Sequence, residues 1–160
     1  MSTKAQNSNP HMVFTMGLPG AGKSTVIQRE NIEGDVIDPD AIKEAHADYD
    51  PKNPTALHTY SLGLAEQLFN KALTLGGQWI IDGTGTNAEK MVRKITQAQA
   101  AGFTTELLYV QVTLKTSLAR NAARERTVPE DVVRAKALDI STSFDIVSRY
   151  ADTVTVKQND

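Results

Sequence analysis

The stretch Gly17-Leu18-Pro19-Gly20-Ala21-Gly22-Lys23-Ser24-Thr25 decides how this chain folds. It matches G-x-x-x-x-G-K-[ST] at every fixed position. Ahead of it, Met12-Val13-Phe14-Thr15-Met16 reads as a short buried strand, and behind it Ser24 to Glu30 reads as a helix. Strand, glycine-rich turn and helix in that order make a phosphate cradle. Glycine lets the backbone turn its N–H groups inward, and the helix start adds a positive dipole end. The motif therefore predicts an ATP site built from Gly17, Pro19, Gly20, Ala21, Gly22, Lys23, Ser24 and Thr25. In such a site Lys23 brings a point charge to the β- and γ-phosphates, and the Ser24 hydroxyl is a ligand for Mg²⁺.

Working outward, strands and helices alternate. Asp35 to Asp38 reads as a second strand ended by Pro39, and Asp40 to Ala47 as a helix. Asn53-Pro54 has the form of an N-cap followed by proline at the first helical position. The helix it opens carries Leu57, Leu64, Leu68, Ala72 and Leu75 on one face and stops at Gly76-Gly77. Trp79-Ile80-Ile81 is a third strand. Asn87 caps a helix with Met91, Ile95 and Ala98, ending at Gly102. Leu107 to Val112 is a fourth strand, and Ser117 to Arg126 is helical. Pro129 opens a helix whose apolar face is Val133, Ala137, Ile140, Phe144 and Val147, and Thr153 to Val156 is a last strand. This alternation predicts an α/β fold of three layers, a parallel sheet with helices on both faces.

Length and composition bound the rest. The 160 residues make one domain, read as 12–160. Residues 1–11 are polar, show no period and lack the apolar stretch of a signal peptide; they read as a disordered arm or tag remnant, with His11-Met12 at the junction. Apolar residues at 40% and charged residues at 22% indicate a globular chain. With no cysteine, thiolate metal sites, disulfides and cysteine nucleophiles are excluded, and a cytoplasmic setting is compatible. No apolar run approaches the ~20 residues of a membrane span. A net charge of −2 argues against sequence-blind wrapping of nucleic acid.

Three further clusters have chemistry to offer. Asp82, at the end of Trp79-Ile80-Ile81, is a second candidate Mg²⁺ ligand; its alternative role is the first residue of an Asp-Gly turn. Asp38 and Asp40 follow the second strand, where open α/β sheets bind their ligands. A carboxylate there can take the proton of an attacking hydroxyl, and Lys43, one turn after Asp40, can bind an acceptor phosphate. The plainer role for this Asp pair is a helix cap. Arg120, Arg124 and Arg126 form a basic cluster, with Arg120 and Arg124 expected on one helix face, able to clamp a transferring phosphoryl group. Arg134 and Lys136 read as a solvated face, His11, His46 and His58 as surface or helix-edge residues, and Trp79 as core.

On these residues, from Met12 to Tyr150, the chain resembles small P-loop kinases that include the kinase domain of phage polynucleotide kinase and the zeta-toxin kinases. Val36-Ile37-Asp38-Pro39-Asp40-Ala41-Ile42-Lys43-Glu44-Ala45-His46 looks like the zeta-toxin segment that carries the catalytic aspartate, which falls on Asp40. Ile81-Asp82-Gly83-Thr84-Gly85 is similar to the family's third-strand motif, where zeta toxins tend to have Glu at the Asp82 position. Arg120-Asn121-Ala122-Ala123-Arg124, followed by Val128-Pro129, looks like the polynucleotide kinase lid, whose arginine at the Arg124 position contacts nucleotide phosphates. The family often has Arg where this chain has Lys43. The resemblance implies strand order 2-3-1-4-5, ATP and Mg²⁺ as co-substrate and cofactor, and Asp40, Lys23 and Arg124 as catalytic residues. It further implies Arg120 and Arg124 at the nucleotide, Asp38, Asp40, Lys43 and Thr84 at the acceptor, and Ser24 and Asp82 at the metal. The acceptor it implies is a hydroxyl, on a nucleic acid in polynucleotide kinases and on UDP-N-acetylglucosamine in zeta toxins; hydroxylated bases are a third class.

Two other classes stand beside a kinase. A GTPase-type switch needs a guanine-reading N-K-x-D, and Asn70-Lys71-Ala72-Leu73 lacks the aspartate and lies within a helix. A non-catalytic or antitoxin-held P-loop module is the other; no residue pattern demands a protein partner.

Overall fold

The computed structural model describes residues 9–53, 56–124 and 127–160. Five strands are β1 (His11–Met16), β2 (Asp35–Ile37), β3 (Gln78–Ile81), β4 (Thr104–Gln111) and β5 (Thr153–Gln158). Six helices alternate with them: α1 (Lys23–Arg29), α2 (Pro39–Glu44), α3 (His58–Leu75), α4 (Ala88–Ala100), α5 (Leu114–Ala122) and α6 (Glu130–Val147). All strands are parallel, in the order β2-β3-β1-β4-β5, as the resemblance implies. β1 lies at the centre, and its residues Met12 to Met16 are buried. A central parallel strand is covered on both faces, so it reads as an unbroken apolar run rather than an alternation.

The register sets out the site. Ile37 of β2 pairs with Ile81 of β3, and Phe14 of β1 pairs with that same Ile81. The next residue on each strand is Asp38, Asp82 and Thr15. Parallel pairing thus carries two carboxylates and a hydroxyl to one level at the carboxyl ends of three adjacent strands. Phe14 also anchors the core, edge-on to Phe69 of α3 with ring centroids 6.5 Å apart.

Some boundaries differ from those read in the sequence. β1 begins at His11, so residue 11, read in the sequence as the end of an arm, belongs to the sheet. The His11 N–H donates to the Gly77 carbonyl at 2.9 Å, and its Nδ1 lies 2.6 Å from Thr104 Oγ1. Residues 1–8 lie outside the described residues. The long helix does not start at Pro54, which also lies outside them. It starts at His58, after Leu57 in the left-handed region at φ 66. Its inward face is Ser61, Ala65, Phe69 and Ala72, while Leu75 is 62% exposed. The leucine spacing marks a stripe offset by about one residue from the true contact line. Small residues plus one phenylalanine let the helix pack closely on the sheet, and Leu68 only flanks the core.

The far end of the sheet is tied by a buried polar knot. Thr105 is fully buried, and its hydroxyl donates to Asp152 Oδ2 at 3.1 Å. The same oxygen atom of Thr105 accepts from Gln99 Nε2 at 3.0 Å and from the Asp152 N–H at 3.1 Å. Thr105→Val keeps the shape and removes every one of these bonds. It is expected to cost ~1–3 kcal/mol in urea or thermal unfolding, with nucleotide binding unchanged because the knot lies opposite the phosphate loop.

Candidate active site

The phosphate loop connects β1 to α1 and is braced from behind. Ser117 Oγ of α5 donates to the Pro19 carbonyl at 2.6 Å, and an Arg120 guanidinium nitrogen donates to the Gly20 carbonyl at 3.3 Å. Asn159, just past β5, donates its side-chain N–H to the Ala21 carbonyl at 2.7 Å. Three outward carbonyls are thereby satisfied, and the Gly17 and Ala21 N–H groups donate to the Thr84 and Leu18 carbonyls, which fixes the loop's shape. Gly22 caps α1 at φ 84, and a Cβ there would stand 2.6 Å from Asn159 Nδ2. Both conformation and space demand glycine at this position.

Lys23 Nζ lies 3.3 Å from the Gly17 carbonyl. Burial pushes its ammonium below the ordinary lysine range; Asp82, Asp38 and Asp40 oppose that shift in decreasing order, and Arg124 adds to it. One ammonium therefore feels four of the side chains singled out in the sequence, drawn from three different loops. Ser24 and Thr25 are exposed at the first turn of α1.

Asp82 is fixed by a residue the sequence reading passed over. Thr15 Oγ1 donates to Asp82 Oδ1 at 2.7 Å and accepts from the Gly83 N–H at 3.1 Å. A threonine within an otherwise apolar strand, one residue before the loop's own strand ends, was the available signal. The floor of the cleft continues through Thr84, whose carbonyl accepts from the Gly17 N–H at 3.0 Å, to Gly85. Gly85 has φ 78, and a Cβ there would meet Met16 Cγ at 2.5 Å, so only glycine fits beneath the loop.

On the other side, Asp38 caps α2, its Oδ1 accepting from the Asp40 N–H at 2.9 Å. Asp40 itself is exposed on the first turn, with Oδ1 3.9 Å from Nζ of the buried Lys43. Burial, and then the neighbouring Asp82 carboxylate, push Asp38 from 3.8 to about 6. Two carboxylates held side by side in a partly buried cleft repel one another unless a cation lies between them. This pair of carboxylates suits Mg²⁺, a hard cation that takes few protein oxygens and keeps water and phosphate in its shell. Among the described residues no group of three or more His, Asp or Glu converges on one point, so the protein alone does not supply a full shell.

The raised Asp38 value has a measurable sign. The native carboxyl holds its proton more tightly than the unfolded chain does, so the charged form is destabilising. That penalty is complete above about pH 6 and gone below about pH 4. Asparagine caps helices as well as aspartate does. Asp38→Asn is therefore expected to melt higher than the parent at pH 7–8, by ~1 kcal/mol after allowance for solvent exposure, with no difference near pH 4. Thermal melts across this range without nucleotide or metal check it.

The basic cluster is rearranged relative to expectation. α5 ends at Ala122, so Arg120 and Arg124 do not share a helix face. Arg120, in the last helical turn, is turned to the loop at Gly20. Arg124 lies past the helix end, with NH2 3.3 Å from Asn121 Oδ1. Asn121 in turn is bonded to Val128 through both its amide groups, which closes the lid segment on itself. Arg126 lies outside the described residues. Lys136, read as solvated, instead points inward: its Nζ is 3.5 Å from Thr84 Oγ1. No spacing in the sequence separates it from the exposed Arg134, and Asn159 carries no signal at all.

Known proteins share this fold. The family model described as an AAA domain matches residues 12–146. A curated relative, Toxin zeta of Streptococcus pyogenes, is 26% identical over 91% of this chain. The chain spans about half of that protein, 54% of its length. The solved PezAT chromosomal toxin–antitoxin system of Streptococcus pneumoniae superposes with a TM-score of 0.70 at 18% identity, over 96% of this chain and 70% of that one. The AvrRxo1-ORF1:-ORF2 structure with ATP gives 0.74 at 17% identity, over 93% and 53% of the two chains. At such identities the solved structures establish the fold, and the family match covers most of the chain. The chain belongs to the AAA domain family and has the fold of the small P-loop kinases.

Proposed function

We propose that the chain is an ATP-dependent phosphotransferase that moves the γ-phosphate to a hydroxyl on a nucleotide-type acceptor. The observation that carries this reading is the convergence of Asp38, Asp40 and Asp82 on the Lys23 ammonium beside the phosphate loop. Lys23 and the loop N–H groups hold the β- and γ-phosphates in place. Mg²⁺, when bound through Ser24 and Asp82, offsets phosphate charge. Asp40 accepts the proton as the acceptor oxygen bonds to the γ-phosphorus and the bond to ADP breaks. Arg124 and Arg120 lie on the lid side, where they balance charge on the phosphates, and Lys43, with its Nζ 3.9 Å from Asp40 Oδ1, positions that carboxylate.

For the acceptor, two readings follow from the chain's relatives. A nucleic-acid hydroxyl, at a 5′ end or on a hydroxylated base, fits the lid motif. UDP-N-acetylglucosamine fits the likeness to Toxin zeta. Because PezAT is a toxin–antitoxin system, a protein partner that covers the site belongs to the second reading. Incubation with labelled ATP against 5′-hydroxyl oligonucleotides, hydroxymethylated DNA, nucleosides and UDP-sugars separates them. Label is expected on one acceptor class, lost on chelation of divalent metal and restored by Mg²⁺. Transfer that persists without divalent metal contradicts the roles given to Ser24 and Asp82.

A further inference from the structure

The sheet order divides the cleft into two sides. On the β4–β5 side of the phosphate loop stand Arg120, at the Gly20 carbonyl, and Asn159, at the Ala21 carbonyl. On the β3–β2 side stand Asp82, Thr84, Asp38 and Asp40, the side from which an acceptor reaches the γ-phosphate. Lys136 belongs to this second side, because its ammonium rests at Thr84 Oγ1.

The lysine is held there by its helix. Ser143, two turns further along α6, donates to the Gly85 carbonyl, and Ile140 between them is buried. One face of α6 is thus fastened to the Thr84–Gly85 floor, and Lys136 is the residue of that face nearest the opening. Its placement beside the cleft is what sets it apart from the other lysines that lack an ion pair. Lys43, Lys94 and Lys157 each lie within 4 Å of a carboxylate, at Asp40, Glu66 and Glu30. Lys136 is partly buried against a hydroxyl, and no ion pair joins it to a described carboxylate. Lys23 differs, since besides the Gly17 carbonyl it has the Asp82, Asp38 and Asp40 carboxylates acting on it. An ammonium set at the floor of the cleft, with no carboxylate partner among the described residues, is placed to take an anion that enters there.

We infer that Lys136 is the anion-binding residue of the acceptor site, and that the acceptor carries a phosphate, phosphodiester or pyrophosphate beside its reacting hydroxyl. This rests on the kinase reading and narrows it. Uncharged nucleosides and free sugars are excluded as good acceptors, and nucleotides, nucleotide sugars and oligonucleotides are retained. Lys43, already set against Asp40, serves the proton-accepting carboxylate, which leaves the anion to Lys136.

The test needs no knowledge of the acceptor. The protein is saturated with Mg²⁺ and the non-hydrolysable ATP analogue adenylyl imidodiphosphate, which fills the phosphate loop. Inorganic phosphate is then titrated in by calorimetry. The parent complex is expected to bind one further phosphate. Lys136→Met keeps the side-chain stem and should weaken that binding about tenfold or more, and Lys136→Arg should restore it. Affinity for the analogue should be equal in all three proteins. Absence of second-site binding in the parent complex, or equal phosphate affinity in the Met variant, overturns the inference. So does a Met variant that loses affinity for the analogue but not for ADP, since that places Lys136 on the γ-phosphate. Failure of the parent to bind the analogue at all is a different result: it removes the kinase reading itself.

Discussion

Lys23→Met is expected to lose phosphoryl transfer by about 10²–10³-fold or more while the sheet melts at or above the parent temperature. Methionine keeps the stem that packs beside Gly17 and removes only the ammonium. That ammonium is desolvated in the free protein, held below its ordinary range by burial. Asp82, Asp38 and Asp40 offset only part of that cost, and the phosphates that would complete it arrive with ATP. Removing it should therefore relieve a cost in the free state and forfeit an interaction in the bound state. Thermal melts with and without ATP separate the two: the ATP-induced rise in Tm should shrink in the variant, and the free-state Tm should not fall. A variant with near-parent turnover would remove Lys23 from the chemistry.

The second large effect separates two aspartates two residues apart. Asp40→Asn is expected to lower kcat by about 10²–10⁴-fold with ATP affinity nearly unchanged, the usual cost of a missing general base. Asp40 is exposed at the first turn of α2, with Oδ1 3.9 Å from Lys43 Nζ. Asp38 has another position: it caps α2 and faces Asp82. Asp38→Asn should therefore act through metal, raising the Mg²⁺ concentration needed for half-maximal rate more than it lowers kcat at saturation. The value of about 6 makes Asp38 the one competitor for the base role, since a base works best near the working pH. Steady-state kinetics of both variants at saturating Mg²⁺ decide it. An inactive Asp38→Asn beside an active Asp40→Asn reverses the assignment.

Much of this was open to reading in the chain itself, for physical reasons that can be named. The phosphate loop is local: each of its residues acts through backbone geometry within nine positions, so the motif survives without the rest of the fold. The βα alternation is local in the same sense, and parallel pairing follows from it. Asp38 and Asp82 each end a short apolar run, which places them at strand tips before the strand order is known. What the chain hides is non-local. Thr15 supports Asp82 across 67 positions, and Asn159 reaches Ala21 across 138. Lys136 meets Thr84 across 52, and nothing near it distinguishes it from a surface lysine. The lid misled for a different reason. Arg120 and Arg124 are spaced as helix neighbours, but α5 ends between them, where the Asn121 side chain bonds to Val128 and pulls the chain out of the helix.

Phosphoryl transfer from labelled ATP, followed side by side in the parent, Lys23→Met and Asp40→Asn against phosphate-bearing hydroxyl acceptors, tests the central claim most directly. Mg²⁺-dependent label is expected on an acceptor with the parent, none above background with Lys23→Met, and none above background with Asp40→Asn although that variant still binds ATP. Label transferred equally by all three proteins, or a parent that binds ATP and labels no acceptor of this class, would contradict that claim.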